Sequence, residues 1–315
     1  MMQTREDTPV LVHQLDGRES PVERLVFWAL QPVLLGVVMV AFLADPASVW
    51  LSTVTLVSVQ LLIGRLEYRF PARPDWRQPP RLKLELIVIA VVTLVVAESA
   101  VKLYEGLLTD RLSSLRTSLR LDIWPHHWPL LIQVLLVFSA SEFIWYWMHR
   151  AEHRWPLVWR ASGHGAHHAF KKLNAINSGA NHPIELFWVV LPALLVSLFF
   201  GVGVAANGAL LLTVVQVAVV HGNLRLNARG IGWFFTTNAW HFRHHSADLA
   251  ESNTNFGCAA IIWDRVFGTF VDSGVVDTGI GPREPTLLEK LLMPIREPRG
   301  SVIAPGLVQG ADRRG

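Results

Sequence analysis

Ten histidines constrain this chain more than any other feature. They stand as His149-x3-His153, His164-x2-His167-His168, the singles His182 and His221, and His241-x2-His244-His245. On a helix, positions i and i+4 share a face, so His149 and His153 can point the same way. Within each HxxHH motif the first histidine pairs with either of the last two: His164 with His167 or His168, and His241 with His244 or His245. Neutral imidazole is a good ligand for iron, zinc, copper and nickel. One zinc ion takes about four ligands. Eight to ten imidazoles exceed that need, so two metal ions are the economical reading. The other three, His13, His126 and His127, read as interfacial or hydrogen-bonded side chains.

Composition names the solvent. Hydrophobic residues make up 51% of the 315 and charged residues only 17%, with 13 tryptophans. The mean hydropathy is +0.34. This is the profile of a membrane protein. The net charge of +3 suits an anionic leaflet or an acidic redox partner. No dense Lys/Arg run speaks for nucleic acid. The single cysteine, Cys258, excludes an internal disulfide and a four-thiolate iron–sulfur cluster, and reads as a small buried apolar residue.

Residues 1–24 form a polar, flexible segment without the pattern of a cleavable signal peptide. Residues 25–148 hold transmembrane helices and loops. Leu25–Ala44 is long enough to span a bilayer, with Pro32 a kink point and Gln31 in need of a partner. Val49–Ile63 is a shorter second apolar run. Arg65–Lys83 is basic and proline-rich. Leu84–Val101 is a third span, Glu105–His127 a surface or interfacial helix with Trp124 and Trp128 as anchors, and Pro129–Met148 a fourth span. Glu142 lies on the face of His149 and His153. It either orients a ligand imidazole or pairs with a neighbouring helix.

Residues 183–221 read as a tight membrane hairpin, or a re-entrant pair, turning at Gly201 and Gly203. Either way its two ends emerge on one side, which lets His149–His182 meet His221–His245. The positive-inside rule puts Arg65–Lys83 in the cytoplasm, and with it the N-terminus, the histidine segments and everything after His221. Cys258–Ile262, with Trp263 and Phe267, packs under the metal site or lies on the membrane. The tail 274–315 is partly disordered, with a short amphipathic helix at Leu287–Leu292. The expected fold is an all-α integral membrane protein: a transmembrane helical bundle with a cytoplasmic, histidine-rich helical cap holding a di-metal site.

Several ordered elements between Glu142 and Thr269, within a catalytic region 142–273, resemble the fatty acid hydroxylase/sterol desaturase superfamily of membrane non-haem di-iron enzymes. Glu142-Phe-Ile-Trp-Tyr146 leading to His149-Arg-Ala-Glu-His153 is similar to its acidic-Tyr-HRxxH helix, with Glu where the family more often has Asp. His164-Gly-Ala-His167-His168, Leu173-Asn174, His182-Pro183-Ile-Glu185 and His221-Gly-Asn223 follow in the family's order. His241-Phe-Arg-His244-His245, Asn255-Phe-Gly257 and Trp263-Asp264-Arg-Val-Phe267-Gly268-Thr269 match its closing signature. The resemblance implies two iron ions, with His149, His153, His164, His167, His168, His221, His241, His244 and His245 as ligands. His182 is implied as a ligand or as a hydrogen-bond partner of Glu185. Glu142, Asn223 and Asn255 are implied behind the ligands. It further implies O2-dependent hydroxylation or desaturation of a lipid, acyl chain or sterol drawn from the bilayer. Trp145, Trp147, Trp240 and Phe256 shape a lipid tunnel or simply pack. The chain has no dinucleotide fingerprint and no haem-attachment motif, so electrons are expected from a separate ferredoxin or cytochrome. Two rival readings remain at this level. A membrane zinc hydrolase lacks the HExxH placement of its glutamate. A histidine-lined metal transporter would spread its ligands through the spans.

Overall fold

The structure, a computed structural model, describes residues 13–77, 80–275, 277–298 and 300–301. Among the described residues there is no β-strand; Ser246 and Thr278 form an isolated antiparallel bridge. The first helix, α1 (Pro21–Ala44), begins four residues before the apolar run. Ser20 and Glu23 form a reciprocal capping box there and Pro21 occupies the first turn, where its missing N–H costs nothing. The helix continues through Pro32. Gln31 finds its partner across the core: its amide donates to Gln216 Oε1 at 2.9 Å and to the Thr236 carbonyl at 2.8 Å.

Helix α2 (Leu51–Arg69) follows and carries Arg65, Glu67 and Arg69 in its last turns. Helix α3 (Pro80–Ser118) corrects the sequence expectation, because the third span and the first part of the polar Glu105–His127 segment are one 39-residue helix. No proline interrupts it, and Glu98 and Lys102 pair at 3.3 Å across one turn. It stops at Arg120, which takes a left-handed φ of 54°. The N–H groups of Arg120 and Leu121 there close back onto the carbonyls of Thr117 and Arg116, so residues 119–127 lie beyond the helix. Helix α4 (Leu130–Arg154) carries the first two histidines in its last turns. α1, α4 and the Leu86–Ser118 part of α3 are long and apolar enough to cross a membrane.

Short elements follow: α5 (Pro156–Ser162), α6 (Gly165–His168), α7 (Glu185–Val189) and α8 (Leu191–Phe200). The hairpin turns at Gly201 and Gly203, both at positive φ, and returns as α9 (Ala205–His221). Arg116 reaches from α3 to the turn and donates to the Phe199 carbonyl. The chain then makes α10 (Asn238–His244), α11 (Leu249–Ser252), α12 (Ile262–Phe267) and α13 (Leu287–Leu292).

α9 is apolar all round, as a central helix must be, and packs on α1, α2 and α4. Gly208 allows the closest approach, since a Cβ there would collide with Val134 and Phe42. The core joins Phe42, Ile63, Val134, Phe138, Leu212 and Val215. The expected apolar piece after the last histidines packs against α4. Trp263 donates to the Ser139 carbonyl at 3.2 Å, and Phe267 stacks on Tyr146.

Candidate metal centre

Helix periodicity, the turn at Gly163 and the returning hairpin bring nine of the ten histidines together. His149, His153, His164, His168 and His244 offer ring nitrogens that all lie within 4.8 Å of one another. His167, His221, His241 and His245 form a second such group. The two groups abut: His168 of the first stacks on His245 of the second, with centroids 4.4 Å apart. Each HxxHH motif is split between them. Its i and i+4 members, His164 with His168 and His241 with His245, stay in one group. Its i+3 member, His167 or His244, crosses to the other. The reason is angular: at about 100° per residue, i+4 returns to within about 40° of i, whereas i+3 and i+4 diverge by a full residue step.

The hydrogen bonds fix which nitrogen is free. Nδ1–H of His149 donates to the Phe256 carbonyl at 2.6 Å, that of His244 to the Thr254 carbonyl at 3.0 Å, and that of His221 to the Val217 carbonyl at 2.9 Å. His164 Nδ1–H donates to Glu185 Oε1 at 2.6 Å, with Glu152 Oε2 at 3.6 Å. A proton held on Nδ1 leaves Nε2 as a bare lone pair. Those Nε2 atoms converge: His149 lies 3.0 Å from both His164 and His244, and His153 lies 3.1 and 3.2 Å from His164 and His168. In the second group His241 lies 3.2 Å from His221 and 3.1 Å from His245. A metal about 2.1 Å from each nitrogen sets them about 3.0 Å apart at right angles and about 3.4 Å apart at the tetrahedral angle. The donor set therefore fits a pair of bound cations. Burial, then the crowding of neighbouring imidazoles, holds His164, His167, His168, His241, His244 and His245 well below the ordinary imidazole range. They are neutral at pH 7, which is the ligating form.

His182 stands outside both groups. Its Nε2 donates to the Leu291 carbonyl at 3.1 Å, its Nδ1 accepts the Ile184 N–H, and its own N–H reaches Glu185 Oε2 at 3.4 Å. Its ring covers Gly163, where φ is +76° and a Cβ would meet the ring at 2.5 Å. Glu142 is buried and accepts the Ala259 N–H at 3.2 Å. Asn223 clasps the backbone of Arg73 through both ends of its amide. Asn255, at a left-handed φ of 55°, ties the carbonyls of Trp240 and Val271 and the N–H of Val271.

Sequence reasoning passed over Glu152, although it sits between two histidines on one helix; it offered Glu185 as a hydrogen-bond partner of His182, whose backbone N–H does reach it, and missed its shorter bond to the His164 ring. It also missed the task of Asp264. That carboxylate accepts the N–H groups of Phe256 and Gly257, both at 2.7 Å, and so fixes the carbonyl that orients His149. A cavity of about 130 Å³ opens from His149, His164, His167, His221 and His241. It runs between α4, α8 and α9 past Trp145, Val189, Val217 and Ala193 to Ser141 and Thr213. Ser141 and Thr213 each lie eight residues before the histidine on their helix, so the lining extends about 12 Å along those helices. Of the four aromatic residues expected around a tunnel, Trp145 lines this cavity.

The family model described as fatty acid hydroxylase matches residues 134–269. Ornithine lipid hydroxylase OlsE of Rhizobium tropici is 30% identical over 244 residues, which is 73% of this chain and 70% of that protein. Alkylglycerol monooxygenase of Xenopus tropicalis is 27% identical over 141 residues, 43% of this chain and 30% of that protein. Its counterpart in Homo sapiens is 26% identical over 135 residues, 42% of this chain and 29% of that protein. The chain thus spans under a third of either alkylglycerol monooxygenase. No solved structure matches it.

Proposed function

Because the chain belongs to the fatty acid hydroxylase family, we propose that it is a membrane lipid hydroxylase that inserts one atom of O2 into a C–H bond of a lipid. The balance is one O2, two electrons and two protons per C–H bond, giving an alcohol and water. The observation that carries this reading is the cavity: it is lined by histidines of both buried groups and by apolar side chains of α4, α8 and α9. His149, His153, His164, His168 and His244 would hold one iron ion and His167, His221, His241 and His245 the other. Two iron ions so held would supply the oxygen-activating redox chemistry that zinc lacks.

The protein's own contributions follow from the geometry. Val189, Ala193, Val217 and Trp145 wall an alkyl segment and exclude water. The cavity sets which carbon comes to rest beside the histidines, because the chain enters to a fixed depth. Glu185 and the carbonyls of Phe256, Thr254 and Val217 keep protons on Nδ1 and keep each Nε2 aimed inward. Electrons come from a separate acidic ferredoxin or a cytochrome, drawn to the basic face. The positive-inside rule puts that face and both termini in the cytoplasm. The activities for which the relatives are named, hydroxylase and monooxygenase, favour hydroxylation over desaturation.

The test is aerobic incubation of the iron-loaded protein and a reductant with membrane lipids, followed by mass spectrometry. A gain of one oxygen in a lipid is expected, with about two irons per chain. Loss of two hydrogens would reassign the chain to desaturation. One zinc per chain with no oxidised lipid would sink the proposal in favour of a hydrolase.

A further inference from the structure

Helix α13 is built inside out. Lys290 and Met293 are buried, 7% and 4% exposed, whereas Leu288 is 66% and Ile295 76% exposed. Leu287, Leu288, Leu291, Leu292 and Ile295 follow helical spacing, so they form one outward apolar face. Lys290 is held inward by Glu284 at 2.8 Å and by the Phe170 ring. Arg160 ties α5, which carries the exposed Leu157, to this element through the Ile295 carbonyl at 2.9 Å. Exposed Arg154 and Arg296 flank it. An apolar face with a basic rim is what an anionic bilayer surface takes up.

A groove of about 120 Å³ lies under α13. Its inner wall is Val88, Val92 and Thr93 of α3, within the part of that helix apolar enough to span a membrane. Val88 and Val92 are themselves exposed, so the groove opens where lipid tails would lie. Its floor is Ala180–Pro183, and Asn181 there also lines the histidine cavity. Asn181 therefore borders both the groove and the cavity of the candidate metal centre.

We propose that α13 is seated in the bilayer interface and that the groove beneath it is a lateral portal, through which a lipid tail passes from the membrane past Asn181 into the histidine cavity. The portal presupposes the lipid substrate argued above; the seating of α13 does not. A protein partner would want the patch away from the membrane, yet α13 shares its groove with a membrane helix.

Two measurements in nanodiscs test this without using activity. First, a nitroxide is placed at position 288 (Leu288→Cys), with the unsubstituted chain, whose one cysteine is Cys258, as background. Its relaxation is expected to respond more to O2 than to a water-soluble nickel chelate, and a label at position 283 (Arg283→Cys) should do the reverse. Greater access to the chelate, or screening from both agents as a protein partner would cause, overturns the seating. Second, a phospholipid with a diazirine in its tail is expected to crosslink to 180–183, and Thr93→Trp, which fills the groove, should abolish that product. Crosslinks confined to the outer faces of α1 and α3 in the unsubstituted chain overturn the portal. If the chain oxidises no lipid, the proposed function fails while both readouts still stand.

Discussion

His164 is gripped from two sides. Glu185 accepts a hydrogen bond from its Nδ1–H at 2.6 Å, while its Nε2 faces those of His149 and His153. Partners of this kind behind a metal-ligating imidazole raise its basicity and lock its ring. Glu185→Ala should therefore weaken metal binding by about 10–100-fold. Glu185→Gln, whose amide oxygen can still accept the proton, should lose less. Competition against a chelator of known affinity measures both, and equal losses would mean that the hydrogen bond orients nothing. None of this was legible in spacing alone. The motif His182-Pro183-Ile-Glu185 puts Glu185 nearer in sequence to His182 than to His164, and only the fold adds the His164 ring to the carboxylate's other oxygen.

At the scale of the element, α12 acts as a clamp. Its Asp264 holds the N–H groups of Phe256 and Gly257 and the Thr269 hydroxyl, so the loop that orients His149 hangs on one carboxylate. Asn in its place can accept only one of those N–H groups well and turns its own amide toward the other. Asp264→Asn should cost about 1–3 kcal/mol for the buried donor left unsatisfied. A lowered thermal midpoint in both the metal-loaded and the metal-free protein would show it. An unchanged midpoint in both would mean that the loop is held elsewhere. The closing signature containing Asp264 was visible in the sequence, whereas its mechanical role was not. Helix boundaries were the least legible. Polarity beyond Val101 suggested a break in α3, yet an exposed polar helix is stable when its first half is anchored, and it ended only where Arg120 could turn left-handed.

Over the whole molecule, one end collects the chemistry. The C-terminal ends of α4 and α9 deliver His149, His153 and His221. Glu67 near the end of α2 accepts the N–H groups of Ala175 and Asn223, and Phe27 near the start of α1 accepts that of Asn227. Nine imidazoles crowd this end, and Nδ1 hydrogen bonds leave at least four of them with a bare Nε2 facing its neighbours, so metal should stabilise the cap more than the helices beneath it. Stripping metal should lower the stability of the cap by about 2.7 kcal/mol when metal had stood at a hundredfold its dissociation constant. Limited proteolysis should then cut within 223–260 while helical circular dichroism holds. An unchanged cleavage pattern would argue against metal as the organiser. The sequence by itself determined that the chain is helical, membrane-embedded and carries imidazoles at ligand spacing, because composition and local periodicity are properties of neighbours along the chain. Only the tertiary structure decided how each HxxHH divides between two groups, that His182 covers Gly163 instead of joining either, and which carbonyls and carboxylates aim the rings. Those outcomes depend on where α4, the hairpin and α10 meet, and that meeting is set by packing between segments dozens of residues apart.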